Sequence, residues 1–113
     1  MPDTTKVNVR IAQLRIIPEQ GDLADNAEAL MAALRELASE DVDVVVTPEC
    51  FLDGYVAVEA SVTRDDLVGY AIDPANSPYV GAVRAWAREN ATWVVLGVSR
   101  RTVFRDLNVL ELA

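Results

Sequence analysis

Residues 42–49, Val-Asp-Val-Val-Val-Thr-Pro-Glu, decide how this chain is read. Val42 to Thr47 is a short, nearly unbroken β-branched run, the mark of a strand covered on both faces, and Pro48 closes it because proline cannot donate to a central ladder. A strand of that kind belongs inside a sheet flanked by helices, and the neighbouring residues supply them. Upstream, Leu23, Ala27, Leu30, Leu34 and Leu37 recur at intervals of four, three, four and three, which predicts a helix with one apolar face. Asp22 stands where it can cap that helix, Asp25 and Glu28 lie near its positive end, and the pattern stops around Ser39 to Asp41. Before it, Val7 to Ile17 alternates at Val7, Val9 and Ile11 and then runs apolar up to Pro18, which predicts a first strand.

Downstream of the central run, Gly54, Gly69, Pro74 and scattered charge break any long period from Cys50 to Asn76, although Thr63 followed by Asp66 could cap a short helix through Tyr70. Ser77-Pro78 is a clearer start, with serine as cap and proline in the first turn. Tyr79, Val80, Val83, Trp86 and Ala87 then share a face before Asn90 stops the helix. Trp93 to Val98 predicts a third buried strand, Arg100 and Arg101 make a polar break, and Val103 to Leu112 reads as the beginning of one further strand that the chain end cuts off. The β-α-β-α-β order with mostly apolar strands predicts an α/β fold, a parallel or mixed sheet with right-handed crossovers. Ligands gather at the carboxyl ends of strands in such sheets, so the residues after Ile17, Thr47 and Val98 are the ones to inspect.

Composition narrows the chemistry. With 113 residues, 51% of them apolar, one core is expected. A net charge of −8 repels phosphate backbones and anionic lipid, which argues against nucleic-acid and membrane partners. No apolar run reaches the roughly 20 residues of a membrane helix, and the opening Met-Pro-Asp-Thr-Thr-Lys has no secretory core, so the cytoplasm is the expected compartment. Cys50 is the only cysteine and histidine is absent, which removes disulfides, Cys/His zinc sites, and Ser-His-Asp or Cys-His catalysis. Neither a GxGxxG nor a GxxxxGK[ST] motif occurs. Glu40-Asp41 and Asp65-Asp66 read as charged helix ends, and neither a metal nor a cofactor is expected. Carboxylates, arginines, one thiol and Lys6 remain.

Among these Glu49 stands out, because Pro48 restricts its backbone and the strand behind it is buried. From position alone, a solvated acid is the commoner outcome after a strand. Cys50 next to it invites a nucleophile reading, but adjacent side chains on an extended segment point to opposite faces, and a lone cysteine among apolar neighbours is usually a small buried hydrophobe. Lys6 and the Arg100-Arg101 pair are expected in solvent.

The succession of these residues resembles the amino-terminal part of the carbon-nitrogen hydrolase (nitrilase) superfamily. The resemblance rests on Val9-Arg10-Ile11-Ala12-Gln13-Leu14, on Gly21-Asp22-Leu23 with Asn26, and on Val42-Asp43-Val44-Val45-Val46 leading into Pro48-Glu49. Phe51, Gly54-Tyr55 and the pair Ala87-Arg88 to Trp93-Val94-Val95-Leu96-Gly97 continue it, and Phe104 to Leu110 is loosely similar to a later family strand. Membership implies a Glu-Lys-Cys triad acting on small amides, nitriles or N-carbamoyl compounds, with Glu49 at the position of the general base and Phe51 and Tyr55 lining the acyl pocket. The family's lysine and cysteine follow later strands, so neither Lys6 nor Cys50 matches them. Residues 1–113 are then expected to be the amino-terminal portion of an incomplete domain, a partial αββα sandwich inactive alone. Roughly half the apolar strand faces would lack a covering layer and would drive homo-oligomer formation. The alternative from another class is a non-catalytic α/β binding or assembly module using an acidic surface and a patch around Trp86 and Trp93.

Overall fold

The computed structural model describes residues 8–55, 61, 63–104 and 107–112. Strand β1 (Ile11–Gln13) leads through helix α1 (Leu23–Leu37) to β2 (Val44–Val46). Helices α2 (Arg64–Tyr70) and α3 (Pro78–Glu89) then lead to β3 (Trp93–Val95), and β4 (Ser99–Phe104) pairs with β5 (Leu107–Leu112). The first three strands form a parallel sheet in the order β1-β2-β3, with Ile11, Val44 and Trp93 in one row and Ala12, Val45 and Val94 in the next. The expected α/β order is therefore present.

The caps form for the reasons the sequence offers. Asp22 Oδ1 accepts from the Asp25 amide at 3.0 Å and opens α1, where the first backbone donors have no partner within the helix. Thr63 and Asp66 exchange bonds at 3.0 and 3.1 Å, a reciprocal capping pair that starts α2. Ser77 Oγ accepts from the Val80 amide ahead of α3, and Asn90 closes that helix by donating from its backbone to Arg88 and Trp86 carbonyls.

Both crossovers advance in the same direction across the sheet, so a right-handed hand at each puts α1 and α3 on the same face. There Leu30, Leu34, Val45, Val80, Val83 and Trp86 form the core, with Ala12 and Val94 packed against it. The other face, carrying Ile11, Val44, Val46, Trp93 and Val95, stays open. The central strand is thus covered on one side only, where a β-branched run had predicted both. The partner-binding patch expected around Trp86 and Trp93 is not built either, because Trp86 is 7% exposed in the core while Trp93 is 79% exposed on the open face.

Two further expectations change. The strands are shorter than the β-branched stretches that announce them, since only three rows of the sheet find partners. Beyond Val98 the chain does not break at Arg100 and Arg101; both lie in β4, and the single truncated strand is replaced by an antiparallel hairpin with its own register from Ser99↔Leu112 to Phe104↔Leu107. Val7 lies outside the described residues. No helix among the described residues is long and apolar enough to cross a membrane.

The two tryptophans provide a test of the one-sided core. Trp86→Ala should cost about 3–5 kcal/mol, the range for removing a large aromatic from a packed interior, whereas Trp93→Thr should change stability by no more than about 0.5 kcal/mol. Urea unfolding with an unchanged slope measures both; equal losses would mean that the open face is covered in solution.

Candidate active site

Residues 47–55 run from the carboxyl tip of β2 across the end of the sheet, and Cys50 to Gly54 are all buried. A buried loop must find partners for its backbone polar groups, and here they come from three directions. From β3, the Thr47 amide donates to the Val95 carbonyl at 3.0 Å, and the Gly97 amide donates to Thr47 Oγ1 at 2.8 Å. The Leu52 amide reaches the Gly97 carbonyl at 3.3 Å. From the segment after β1, the Gly21 amide donates to the Asp53 carbonyl at 2.8 Å.

The third direction is α1. Asn26 is 2% exposed and its carboxamide makes three bonds: Nδ2 donates to the Glu19 carbonyl at 2.7 Å and to the Leu52 carbonyl at 2.9 Å, while Oδ1 accepts from the Glu19 amide at 2.7 Å. One side chain thereby ties the start of α1, the segment following β1 and the loop over the sheet.

Two glycines let the backbones approach. A Cβ on Gly97 would lie 2.2 Å from the Pro48 carbonyl oxygen and 2.8 Å from the Cys50 nitrogen. Gly54 has φ +70°, and a Cβ there would lie 2.3 Å from the Glu19 carbonyl oxygen. Only glycine meets both demands at position 54.

Glu49 emerges from this framework on the exposed surface at the tip of the central strand. Its Oε2 accepts a hydrogen bond from the Tyr55 phenol. That carboxylate acceptor holds the phenolic proton and, with desolvation and the Glu49 charge adding to it, pushes Tyr55 up to about 12. Tyr55 sits at φ 65°, with its amide bonded to Asp53 Oδ1 at 3.0 Å and to the Cys50 carbonyl at 3.3 Å. Asp53 is 1% exposed, and its Oδ2 accepts from the Ser99 hydroxyl.

Cys50 is buried and unpaired as a disulfide, with its sulfur 3.9 Å from Ser99 Oγ. Burial pushes its thiol up, and the Asp53 and Glu49 carboxylates add to this against the lowering effect of Ser99. A thiol so placed is a poor nucleophile. The segment is not extended as the sequence suggested: Glu49 and Cys50 lie in a turn, with Cys50 at φ 50°. That turn sends Glu49 outward and Cys50 inward.

Phe51, expected on the pocket wall, has no exposed surface and belongs to the helix-side core. Tyr55 lies beside Glu49 as a hydrogen-bond donor. Lys6 lies outside the described residues, as do the side chains of Arg100 and Arg101. A cavity of about 390 Å³ between β1 and α1 is lined by Arg10, Leu14, Glu36, Glu40 and Val42 among others, but by neither Glu49 nor Tyr55. Asn26, Thr47, Asp53 and Ser99 escaped the sequence reading as parts of the site. For Asn26 a signal existed, because it falls on the apolar face of α1, one turn before Leu30.

Asn26→Leu should therefore destabilise the chain by about 2–3 kcal/mol despite suiting the apolar face, since it leaves buried backbone groups unpaired. Gly97→Ala should cost about 1–3 kcal/mol by forcing the loop off the sheet end. Gly81→Ala, on the open side of α3, should gain about 0.5–1 kcal/mol. Denaturant midpoints of the three variants test this order.

The family model described as carbon-nitrogen hydrolase matches residues 8–110. No curated protein matches the sequence. The match takes in the whole parallel sheet, both crossovers and the turn that carries Glu49, and the chain belongs to the carbon-nitrogen hydrolase family.

Proposed function

We propose that this chain supplies the general base of a hydrolase acting on non-peptide carbon-nitrogen bonds of small amides, nitriles or N-carbamoyl compounds, with Glu49 as that base. The triad is Glu-Lys-Cys, and its lysine and cysteine come from outside these residues, since Lys6 and Cys50 are the only ones here. The observation that carries the reading is the carboxylate of Glu49, presented at the tip of the central parallel strand on a loop whose backbone is bonded on three sides.

The chemistry divides as follows for an amide. Glu49 takes the thiol proton as sulfur attacks the carbonyl carbon, and the displaced electron pair settles on oxygen opposite the lysine ammonium. Collapse of that tetrahedral species breaks the carbon-nitrogen bond while the proton on Glu49 passes to nitrogen, so ammonia or an amine leaves. Water then attacks the thioester and gives a proton to Glu49; the acid departs and sulfur takes the proton back. One carboxylate serves as base, acid, base and acid in turn, which requires it to reach sulfur, leaving nitrogen and water from a single position.

A non-catalytic binding module is the competing reading, favoured by the exposed apolar side chains Ile11, Trp93 and Val95 on the open face. Turnover separates the two. In the protein assembled with the segments that bring the thiol and the ammonium, Glu49→Gln should lower ammonia release by at least about 10²–10⁴-fold with folding intact. Residues 1–113 alone should release none, since their one thiol is buried. Unchanged turnover in Glu49→Gln would remove the catalytic reading.

A further inference from the structure

We propose that Tyr55 is a positioning residue for Glu49: its phenol holds Oε2 and so aims Oε1, which has no partner among the described residues, as the oxygen that receives the proton. This rests on Glu49 being the base and assigns the two carboxylate oxygens separate tasks.

Three observations converge on it. The first is the contact, in which the hydroxyl of half-buried Tyr55 donates at the surface to an exposed carboxylate six residues earlier in the chain. An exposed glutamate otherwise samples several rotamers, and a proton acceptor loses rate quickly when it is displaced. The second is the backbone. Tyr55 adopts φ 65°, a left-handed conformation that glycine or asparagine takes at far lower cost than a bulky aromatic residue. A tyrosine kept there points to a need for its side chain, and the left-handed turn is what brings the ring back toward Glu49.

The third is the brace behind it. Ser99, at the start of β4 and held by the Ile72 amide on its carbonyl at 2.9 Å, donates to Asp53 Oδ2, and Asp53 Oδ1 accepts from the Tyr55 amide. Asp53 is buried, so its carboxylate is shielded from competing water on the side that anchors the ring. The chain of contacts runs from Ser99 through Asp53 and Tyr55 to Glu49, and it joins the start of β4 to the base across a sequence separation of 46 between Ser99 and Asp53.

The contact is read first in the chain itself. With tyrosine ring carbons labelled for NMR, the resonance missing in Tyr55→Phe should remain in the phenol form past the ordinary range near 10, ionising at about 12. In Glu49→Gln it should move back toward the ordinary range. The sign follows from linkage: a phenol that ionises later in the folded than in the unfolded chain contributes its full stability below about pH 10, and loses it as pH rises toward about 12. Ionisation of wild-type Tyr55 near 10 would overturn the proposal.

The role is read in the assembled enzyme. Tyr55→Phe keeps the ring and removes only the donor, so kcat should fall by about 10–100-fold with KM nearly unchanged. Ser99→Ala should show the same split more weakly. If Glu49→Gln abolishes turnover while Tyr55→Phe leaves kcat as it was, the positioning role fails and the base assignment stands. If Glu49→Gln leaves turnover intact, the base assignment fails instead, and the positioning role fails with it.

Discussion

The fold of this chain depends on a loop that is buried where loops are usually wet. Cys50 to Gly54 lie under the surface at the end of the sheet, so every amide and carbonyl there must be paired inside the protein or cost about 1–3 kcal/mol. The Asn26 carboxamide meets part of that demand from α1, pairing the Leu52 carbonyl while its other two bonds hold the Glu19 peptide. Thr47 does the equivalent on the β3 side, receiving the Gly97 amide on a hydroxyl whose own proton faces the Val95 carbonyl. With both sides tied, the turn closes on itself through the Cys50 carbonyl, which accepts from the Gly54 and Tyr55 amides. Glu49 is exposed, yet its backbone inherits the rigidity of everything beneath it.

That arrangement explains which parts of the molecule were legible in the sequence. Helices announce themselves locally: the spacing of Leu23, Ala27, Leu30, Leu34 and Leu37 and the caps at Asp22, Thr63 and Ser77 all act within a few residues, and all recur in the structure. Strand extent is a property of pairs. Val7 to Ile17 has the composition of a long strand, but β2 offers only Val44–Val46 as partners, so β1 ends at Gln13 with one further bond from the Leu14 amide to the Val46 carbonyl. The hairpin was hidden for a related reason, since two arginines in succession look like a break unless the strand opposite them is known. Within the site, Pro48-Glu49 after a β-branched run was visible, whereas the bonds that hold it span 26 residues from Asn26 to Leu52, 50 from Thr47 to Gly97 and 46 from Asp53 to Ser99. Contacts at those separations leave no periodic trace.

The one-sided sheet follows from topology more than from composition. A strand order that matches chain order forces successive right-handed crossovers onto one face, and the opposite face receives nothing from these connections. Val44 and Val46 are therefore only half-buried, and a run such as Val-Val-Val carries no information on whether its second face is filled by the same connections or by something else. Trp93 makes the point most sharply: it sits in a sheet strand, with strong β propensity, and four-fifths of its surface is open.

The same turn separates two side chains that are neighbours in sequence, the Glu49 carboxylate and the Cys50 thiol. Adjacent side chains in a turn diverge, and here one peptide step carries the chain from an exposed carboxylate to a thiol that is 2% exposed. Burial then disfavours the thiolate, as do the Asp53 and Glu49 charges, so Cys50 is poorly suited to act as a nucleophile although it adjoins a carboxylate in sequence. The turn that buries the thiol is thus the same one that returns the Tyr55 phenol to the Glu49 carboxylate.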